Sequence, residues 1–209
     1  MPPHDITIAL LDPADETHVS QAARLIEDAF PDWFPSVAEY EAEVAEALAP
    51  DRICLAATHG ADLLGWVGAI PEYSHAWELH PLVVQPDAHR LGIGRALVTA
   101  LETRVLAKGA LTLYLGTDDD GPTPRTTAGG IDLFPDPLAH AARFRPISHP
   151  AGFYARLGFV VIGLLPDANG PGKPDVFMAK RLGVSPAYPS DSASVPAPTA
   201  TRNCGADGM

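Results

Sequence analysis

Residues 77–96, WELHPLVVQPDAHRLGIGRA, run from an apolar strand through a glycine-containing loop into a helix. Because side chains alternate between the two faces of a strand, the first eight residues predict one face with polar groups and one apolar face. The first face is predicted to carry Glu78, His80 and Leu82. The second is predicted to carry Trp77, Leu79 and Val83. Pro81 has no N–H to donate to a neighbouring strand, so it predicts an edge, a bulge or a local splay of the sheet, and a splayed sheet opens a slot.

Gly92 and Gly94 open a helix directly after this strand. The backbone N–H groups and the helix dipole at such a turn favour an anion, which indicates a phosphate-binding loop. A dinucleotide-binding fingerprint requires a third glycine where the chain has Leu97, and a Walker loop requires Gly-Lys-Ser/Thr where it has Gly94-Arg95-Ala96. Both nucleotide-binding motifs are excluded, and on its own the pattern is equally typical of a tight turn.

Length and composition predict one cytoplasmic domain. A chain of 209 residues buries a single core without disulfides or metals, and Cys54 and Cys204 lie far apart in unlike contexts. The formal net charge is −12 with no cluster of Lys and Arg, which argues against a nucleic-acid partner. We expect no signal peptide and no membrane span, because no apolar run approaches the roughly 20 residues that a bilayer requires.

The hydrophobic periodicity predicts the element order βααβββαβαββ, a mixed sheet with helices packed on it in an α/β (α+β) domain. Residues 118–148 carry few regular signals and are expected to form a functional loop. The domain is predicted to span residues 1–182. Residues 183–209 are rich in Pro, Ala and Ser and predict a disordered tail.

Two segments of the chain resemble the GNAT family of N-acetyltransferases. The family's acetyl-CoA loop follows the pattern Gln/Arg-x-x-Gly-x-Gly/Ala, and residues 89–94 read HRLGIG, so that His89 departs from the first position. Residues 153–159, FYARLGF, are similar to the family's late helix, where a tyrosine lies near the sulfur of coenzyme A.

The resemblance narrows to one branch of the family, the aminoglycoside 6'-N-acetyltransferases. Five blocks between residues 65 and 182 carry it: GWVGAIPEY, WELHPLVV, LTLYLGTDDD, HPAGFYARLGF and LLPDANGPGKPDVFMAKRL. The first sixty residues match in outline only, and the loop GPTPRTTAGGIDLFPD differs from the branch in length and in amino-acid sequence.

This resemblance implies a single GNAT-like domain whose mixed, mostly antiparallel sheet is splayed at the fourth strand and flanked by helices. It implies acetyl-CoA as co-substrate, an aminoglycoside as acceptor of the acetyl group at its 6'-amine, direct transfer in a ternary complex, a homodimer and no metal. The residues implied to bind acetyl-CoA are Leu82, Val83, Val84, His89, Arg90, Leu91, Gly92, Ile93, Gly94, Arg95, Ala96 and Tyr154.

The resemblance also implies roles at the reacting centre. Glu78 would act as general base, directly or through water, and Leu82 would offer its backbone N–H to the thioester oxygen. Tyr154 would give its proton to the departing sulfur, or would only pack its ring in the core. His80 would orient the water, or would serve as a hydrogen-bonded structural residue.

Aminoglycosides are polycations, so their site should combine carboxylates with aromatic surface. The implied substrate contacts are Trp33, Tyr73, Glu78, Asp118 and Asp119. Core packing is an equal alternative for Trp33, and Asp120 is expected to be a solvated turn residue. Two other functions stay open: acetylation of a different amine, such as a polyamine, an amino sugar or a protein N-terminus, and a non-enzymatic coenzyme A sensor.

Overall fold

The computed structural model of the chain describes residues 5–183. The predicted disordered tail lies outside the described residues, apart from Gly183 at its start. None of the helices found between residues 5 and 183 is long and apolar enough to cross a membrane.

The described residues form one seven-stranded sheet with five α-helices. The strands are β1 (Thr7–Leu10), β2 (Ile53–His59), β3 (Asp62–Ile70), β4 (Ala76–Val84), β5 (Thr112–Leu115), β6 (Val160–Leu165) and β7 (Asp175–Arg181). The helices are α1 (Glu16–Ala29), α2 (Val37–Ala47), α3 (Ile93–Ala107), α4 (Pro137–Ala142) and α5 (Ala151–Arg156), with a 3-10 turn at Pro86–Ala88. All the predicted strands and helices are present, and the prediction omitted α4.

The sheet has the strand order β1-β2-β3-β4-β5-β7-β6 and is antiparallel except for the β4–β5 pair. Helices α1 and α2 pack on one face around the fully buried Trp66, whose indole N–H donates to the carbonyl of Ala22 at 3.2 Å. Helices α3 and α5 pack on the opposite face around Leu97 and Leu113. The predicted mixed, mostly antiparallel α/β fold is confirmed.

The sheet opens between β4 and β5. Pairing between these strands covers only Ala76–Glu78 of β4 and Thr112–Tyr114 of β5, whereas β4 continues to Val84. Strand β5 ends at Leu115 and pairs on its other side with β7. The predicted splay at the fourth strand is therefore present, and it leaves a slot beside the second half of β4.

A bulge in β4 coincides with this opening. Val67 of β3 pairs with Leu82 and Ala69 pairs with Leu79, so Gly68 alone faces both His80 and Pro81. The glycine is required because a Cβ at position 68 would collide with the carbonyl oxygen of His80.

The bulge overturns the predicted side-chain alternation. Trp77 and Leu79 pack on the α3 side, and Leu82 packs there too instead of sharing the face of Glu78 and His80. Val83 turns to the α1–α2 side and packs near Trp66. One extra residue in a strand shifts every later side chain to the other face, which strict alternation does not anticipate.

Helix α4 lies inside the predicted loop. Its cap is Asp136, whose carboxylate accepts from the N–H of Ala139 at 3.0 Å, and Pro137 occupies the first turn. The helix has only six residues and none is buried, so it lacks the apolar periodicity by which a helix is recognised in sequence.

Candidate active site

A first cavity, of about 370 Å³, occupies the slot between β4 and β5. Its floor is the bulged segment from Leu79 to Leu82, and its walls come from the end of α1 and from the loop after β5. The charged residues that line it are Asp32, Asp118, Asp120 and Arg125, with His80 beside them. We call it the acidic cavity, because carboxylates outnumber cationic side chains in its lining.

A second cavity, of about 580 Å³, lies over the strand-to-helix turn. Three arginines, Arg90, Arg95 and Arg156, line it, and no carboxylate does. We call it the basic cavity. The residues predicted to bind acetyl-CoA that line it are Leu82, Val84, His89, Arg90, Gly92, Ile93, Gly94, Arg95 and Tyr154. The predicted contacts Val83, Leu91 and Ala96 do not line it, and the side chain of Val83 is buried on the opposite face of the sheet.

The turn that lines the basic cavity depends on both predicted glycines. Gly92 has a left-handed backbone with φ of 86° and is the N-cap of α3. A Cβ on Gly94 would lie 3.3 Å from Cζ of Phe153, so any side chain there would fill the space between α3 and α5. His89, which departs from the family pattern, has Nε2 2.8 Å from the carbonyl oxygen of Val84 and thereby holds the loop against β4.

The two cavities meet at three residues. Leu82, Pro150 and Tyr154 line both of them. A group held at the inner end of one cavity therefore lies next to a group held at the inner end of the other. The meeting point is at the bulge, which is where the sequence predicted that the sheet would open.

Tyr154 is a buried residue at this meeting point, with 8% of its surface exposed. Its ring packs edge-on against Phe153 and Phe159, with centroids 5.1 and 5.7 Å away. Burial raises the pKa of the Tyr154 phenol above its ordinary value, since the phenolate would be poorly solvated there. The hydroxyl therefore stays protonated near neutral pH and is a weaker acid than that of an exposed tyrosine.

Glu78 lies half-buried on β4 beside the slot, and the hydroxyl of Tyr114 donates to its Oε2 at 3.5 Å. Burial raises the pKa of Glu78 and the nearby Glu72 adds to the effect, whereas His80 and Tyr114 oppose it. Tyr73, the predicted wall of the substrate site, is 69% exposed and lies 6.5 Å from the ring of Tyr114. Neither Glu78 nor Tyr73 lines the acidic cavity, and both lie next to Tyr114.

His80 faces the acidic cavity with its ring held from two sides. Its Nε2 lies 3.4 Å from Oε1 of Glu43, and its ring stacks on that of Trp33 with centroids 5.9 Å apart. Trp33 also stacks on Phe30 at 3.9 Å and lines the cavity. It is 38% exposed and so is not a core residue, and its contact with the substrate stays a prediction. The hydrogen bond to Glu43 is the main cause that raises the pKa of His80.

Glu43 was missed at the sequence level. It lies on the inward side of α2 with Tyr40, Val44 and Ala47, which are buried. The sequence did contain a signal for it, because the helical repeat assigns this carboxylate to a core position.

The three consecutive aspartates after β5 have different surroundings. Asp118 lines the acidic cavity, and its Oδ1 accepts from Nδ2 of Asn169 at 2.5 Å. Asp120 is exposed, as predicted, and its Oδ1 lies 3.5 Å from Nη2 of Arg125. The carboxylates of Asp118 and Asp120 therefore both line the acidic cavity.

Asp119 is not available as a substrate contact, contrary to the prediction. Its side chain is fully buried and accepts hydrogen bonds from the backbone N–H groups of Arg125 and Thr126 and from the hydroxyl of Thr126. The physical reason is that the long loop after β5 folds over this carboxylate, which satisfies backbone donors that burial would otherwise leave unpaired.

Asp175, at the start of β7, is a second residue that the sequence did not single out. Burial, aided by the negative charge of Asp118, raises the pKa of Asp175 to about 6. Its carboxylate lies against Gly116, where a Cβ would come within 2.5 Å of Oδ2. No local pattern marks this residue, because its neighbours Asp118 and Glu78 come from other segments of the chain.

The described part of the chain has neither an exposed cysteine nor a cluster of metal-ligating side chains. Cys54 is buried, and burial raises the pKa of its thiol to about 12. Cys204 lies outside the described residues. Within residues 5–183, no three His, Cys, Asp or Glu side chains are grouped so that they could hold a metal ion.

Comparison with known proteins gives consistent matches. A family model described as acetyltransferase (GNAT) family matches residues 20–123. The solved structure of an aminoglycoside 6'-N-acetyltransferase complexed with coenzyme A is 37% identical, with a TM-score of 0.82 over 87% of this chain and 99% of that one. The aminoglycoside 6'-N-acetyltransferase from Enterococcus faecium is also 37% identical, with a TM-score of 0.79 over the same shares of the two chains.

A third solved structure, aminoglycoside 6'-acetyltransferase type Ii, is 34% identical with a TM-score of 0.68, over 86% of this chain and 99% of that one. None of the curated protein sequences compared with the chain gives a significant match.

Proposed function

The chain belongs to the GNAT family of acetyltransferases, and on that premise we propose that it transfers the acetyl group of acetyl-CoA to the 6'-amine of aminoglycoside antibiotics. The acceptor and its position rest on the similarity to solved aminoglycoside 6'-N-acetyltransferases. Such a reaction would remove a positive charge from the drug, so antibiotic resistance is part of the proposal.

One observation carries the proposal: an acidic and a basic cavity meet at Leu82 and Tyr154. A polycationic acceptor favours the cavity with carboxylates, and an anionic pyrophosphate favours the cavity with arginines. Two substrates of opposite charge would thus be brought end to end at the bulge, which supports direct transfer between them.

The basic cavity fits the co-substrate. The missing Cβ atoms of Gly92 and Gly94 leave backbone N–H groups free to approach a pyrophosphate, and Arg90, Arg95 and Arg156 supply positive charge around it. Acetyl-CoA, when bound, supplies the acetyl thioester. The candidate contact Val83 could take part through backbone atoms only, because its side chain packs on the opposite face of the sheet.

The roles proposed for the chain's own groups follow from their surroundings. Glu78, half-buried beside the slot, accepts a proton from the acceptor's ammonium group, directly or through water. The backbone N–H of Leu82, at the bulge, would donate a hydrogen bond to the thioester oxygen. Tyr154 retains its proton near neutral pH and donates it to the departing sulfur. Asp118 binds a second ammonium group, and Trp33 offers a flat apolar wall to the sugar rings.

Release of free thiol from acetyl-CoA by the full-length protein tests the proposal. The acceptors compared are an aminoglycoside with a 6'-amine, its analogue with a 6'-hydroxyl, and the polyamine spermidine. We expect release with the 6'-amine and none with the 6'-hydroxyl analogue. Release with spermidine alone would favour the alternative that the enzyme acetylates another amine. Acetyl-CoA binding with no release for any acceptor would favour the coenzyme A sensor. A homodimer, the assembly inferred from the family, is tested by light scattering on the same sample.

A further inference from the structure

Helix α2 presents a largely buried carboxylate to His80, which lines the acidic cavity. The side chain of Glu43 is 15% exposed, and its Oε1 lies 3.4 Å from Nε2 of His80. Burying a carboxylate costs free energy unless the group has a partner. The partner of Glu43, on α2, is the imidazole of His80, on β4. The contact therefore joins an element outside the slot to the strand that forms its floor.

The same helix also fixes the aromatic wall of the cavity. The hydroxyl of Tyr40 donates to the carbonyl of Phe30 at 2.6 Å and accepts from the N–H of Phe34 at 3.3 Å. These two bonds hold the loop that carries Trp33, and Trp33 in turn stacks on His80. His80 is thus clamped between a carboxylate and an indole, which leaves the ring little freedom to turn.

On the basis of the proposed function, we propose that Glu43 is a positioning residue of the acetyl-transfer site. It holds the imidazole of His80 in place and favours its charged form, since Oε1 of Glu43 lies 3.4 Å from Nε2 of the ring. A fixed cation beside the acceptor also favours loss of the ammonium proton, since it repels the charged form of the amine.

The charged groups around His80 support this arrangement. Glu43 on α2 and Glu78 on β4 favour its charged form, whereas Arg52 before β2 and burial oppose it. Around Glu78, burial and Glu72 oppose ionisation. The positive charge on His80 and the Tyr114 hydroxyl favour it. Removing the charge of Glu43 should therefore lower the pKa of His80.

The test compares Glu43→Gln with Glu41→Gln. The first keeps a hydrogen-bond acceptor near His80 and removes only the charge, and the second makes the same change at an exposed position of the same helix. We expect Glu43→Gln to lower kcat/KM by roughly twofold to fivefold in the pH range between the His80 pKa of the variant and that of the wild type, where only the wild type carries the cation; this is the size of effect that a partly exposed ion pair supplies. Glu41→Gln should leave the profile unchanged.

Two further measurements separate this inference from the proposed function. NMR titration of the His80 ring in the protein without substrates should show a lower pKa in Glu43→Gln and no change in Glu41→Gln. In a His80→Asn background, Glu43→Gln should have no further effect on the pH profile. Should Glu43→Gln fail to fold, Glu43→Asp, which withdraws the carboxylate from the ring, tests the same link.

The possible results are distinct. An unchanged His80 pKa in Glu43→Gln, or additive losses in the double variant, would overturn the role of Glu43 even if the wild-type enzyme acetylates its acceptor. A wild-type protein that acetylates no amine would overturn the proposed function, whereas the NMR result would still report on the pairing.

Discussion

At the residue scale, surroundings rather than residue type separate the carboxylates of the site. Glu78 is half-buried and close to His80. Asp119 is buried and accepts hydrogen bonds from backbone N–H groups, and Asp120 faces solvent beside Arg125. The same functional group is thereby suited to act as a base, to hold a loop together, or to attract a cation.

We expect Glu78→Gln to lower kcat/KM by about 10²–10⁴-fold, the contribution typical of a general base. Because burial raises the pKa of Glu78, the wild-type rate should fall with decreasing pH before an ordinary glutamate would titrate. That acidic limb should vanish in the variant. Glu72→Gln is the control: it should retain the rate and move the limb to lower pH, since Glu72 raises the pKa of Glu78. A wild-type rate in Glu78→Gln would exclude Glu78 as the base.

Asp119→Asn should destabilise the protein by about 2–3 kcal/mol, because buried backbone donors lose a charged acceptor. Asp120→Asn, at an exposed neighbour, should change the free energy of unfolding by less than about 0.5 kcal/mol. Urea denaturation measures both. Equal stabilities would mean that the loop does not depend on the Asp119 carboxylate.

At the element scale, the bulge in β4 shapes the site. It turns Leu82 toward the side where the two cavities meet and leaves Glu78 and His80 on the α1–α2 side. Two residues of β4 lie opposite Gly68 of β3 at the bulge. Gly68 has no side chain, and this leaves room for the backbone of His80.

Gly68→Ala should therefore cost about 1–3 kcal/mol of stability, the usual range for forcing an extra carbon into a packed site. The displaced backbone at His80 should also lower kcat. Gly163→Ala on β6 is the matched control, since a Cβ there meets nothing within 4 Å. Thermal denaturation and steady-state kinetics of the two variants check the prediction, and indistinguishable variants would contradict it.

At the scale of the whole molecule, three strands bring like charges together. Glu78 comes from β4, Asp118 from the loop after β5 and Asp175 from β7. Burial, joined by repulsion from the other two carboxylates, raises the pKa of Asp175 to about 6. The folded protein therefore binds a proton at Asp175 more tightly than the unfolded chain does. Its contribution to stability decreases as the pH rises from about 4 to about 6 and is constant above that range.

Asp175→Asn should accordingly raise the free energy of unfolding above pH 6, by about 1 kcal/mol once partial exposure is allowed for. Near pH 4 the variant and the wild type should converge, because the wild-type carboxyl is then protonated. Asp51→Asn, at an exposed position, should show no such pH dependence. Denaturation at the two pH values measures the difference, and a variant that is less stable at high pH would contradict the assignment.

What the sequence determined by itself is local. The periodicity of residues 77–107, the glycines at 92 and 94 and the proline at 81 predicted a strand, a break, a glycine turn and a helix, and all of them are present. That the turn binds phosphate stays a prediction. Such features depend on backbone preferences and on neighbours a few residues away, which a sequence displays directly.

Only the tertiary structure decided which carboxylates serve the cavity. It buried Asp119, placed Glu43 against His80 and brought Asp175 beside Asp118. It also inverted the faces of Leu82 and Val83 at the bulge. Each outcome depends on burial or on a partner from another element, and desolvation and Coulomb interactions act across space rather than along the chain.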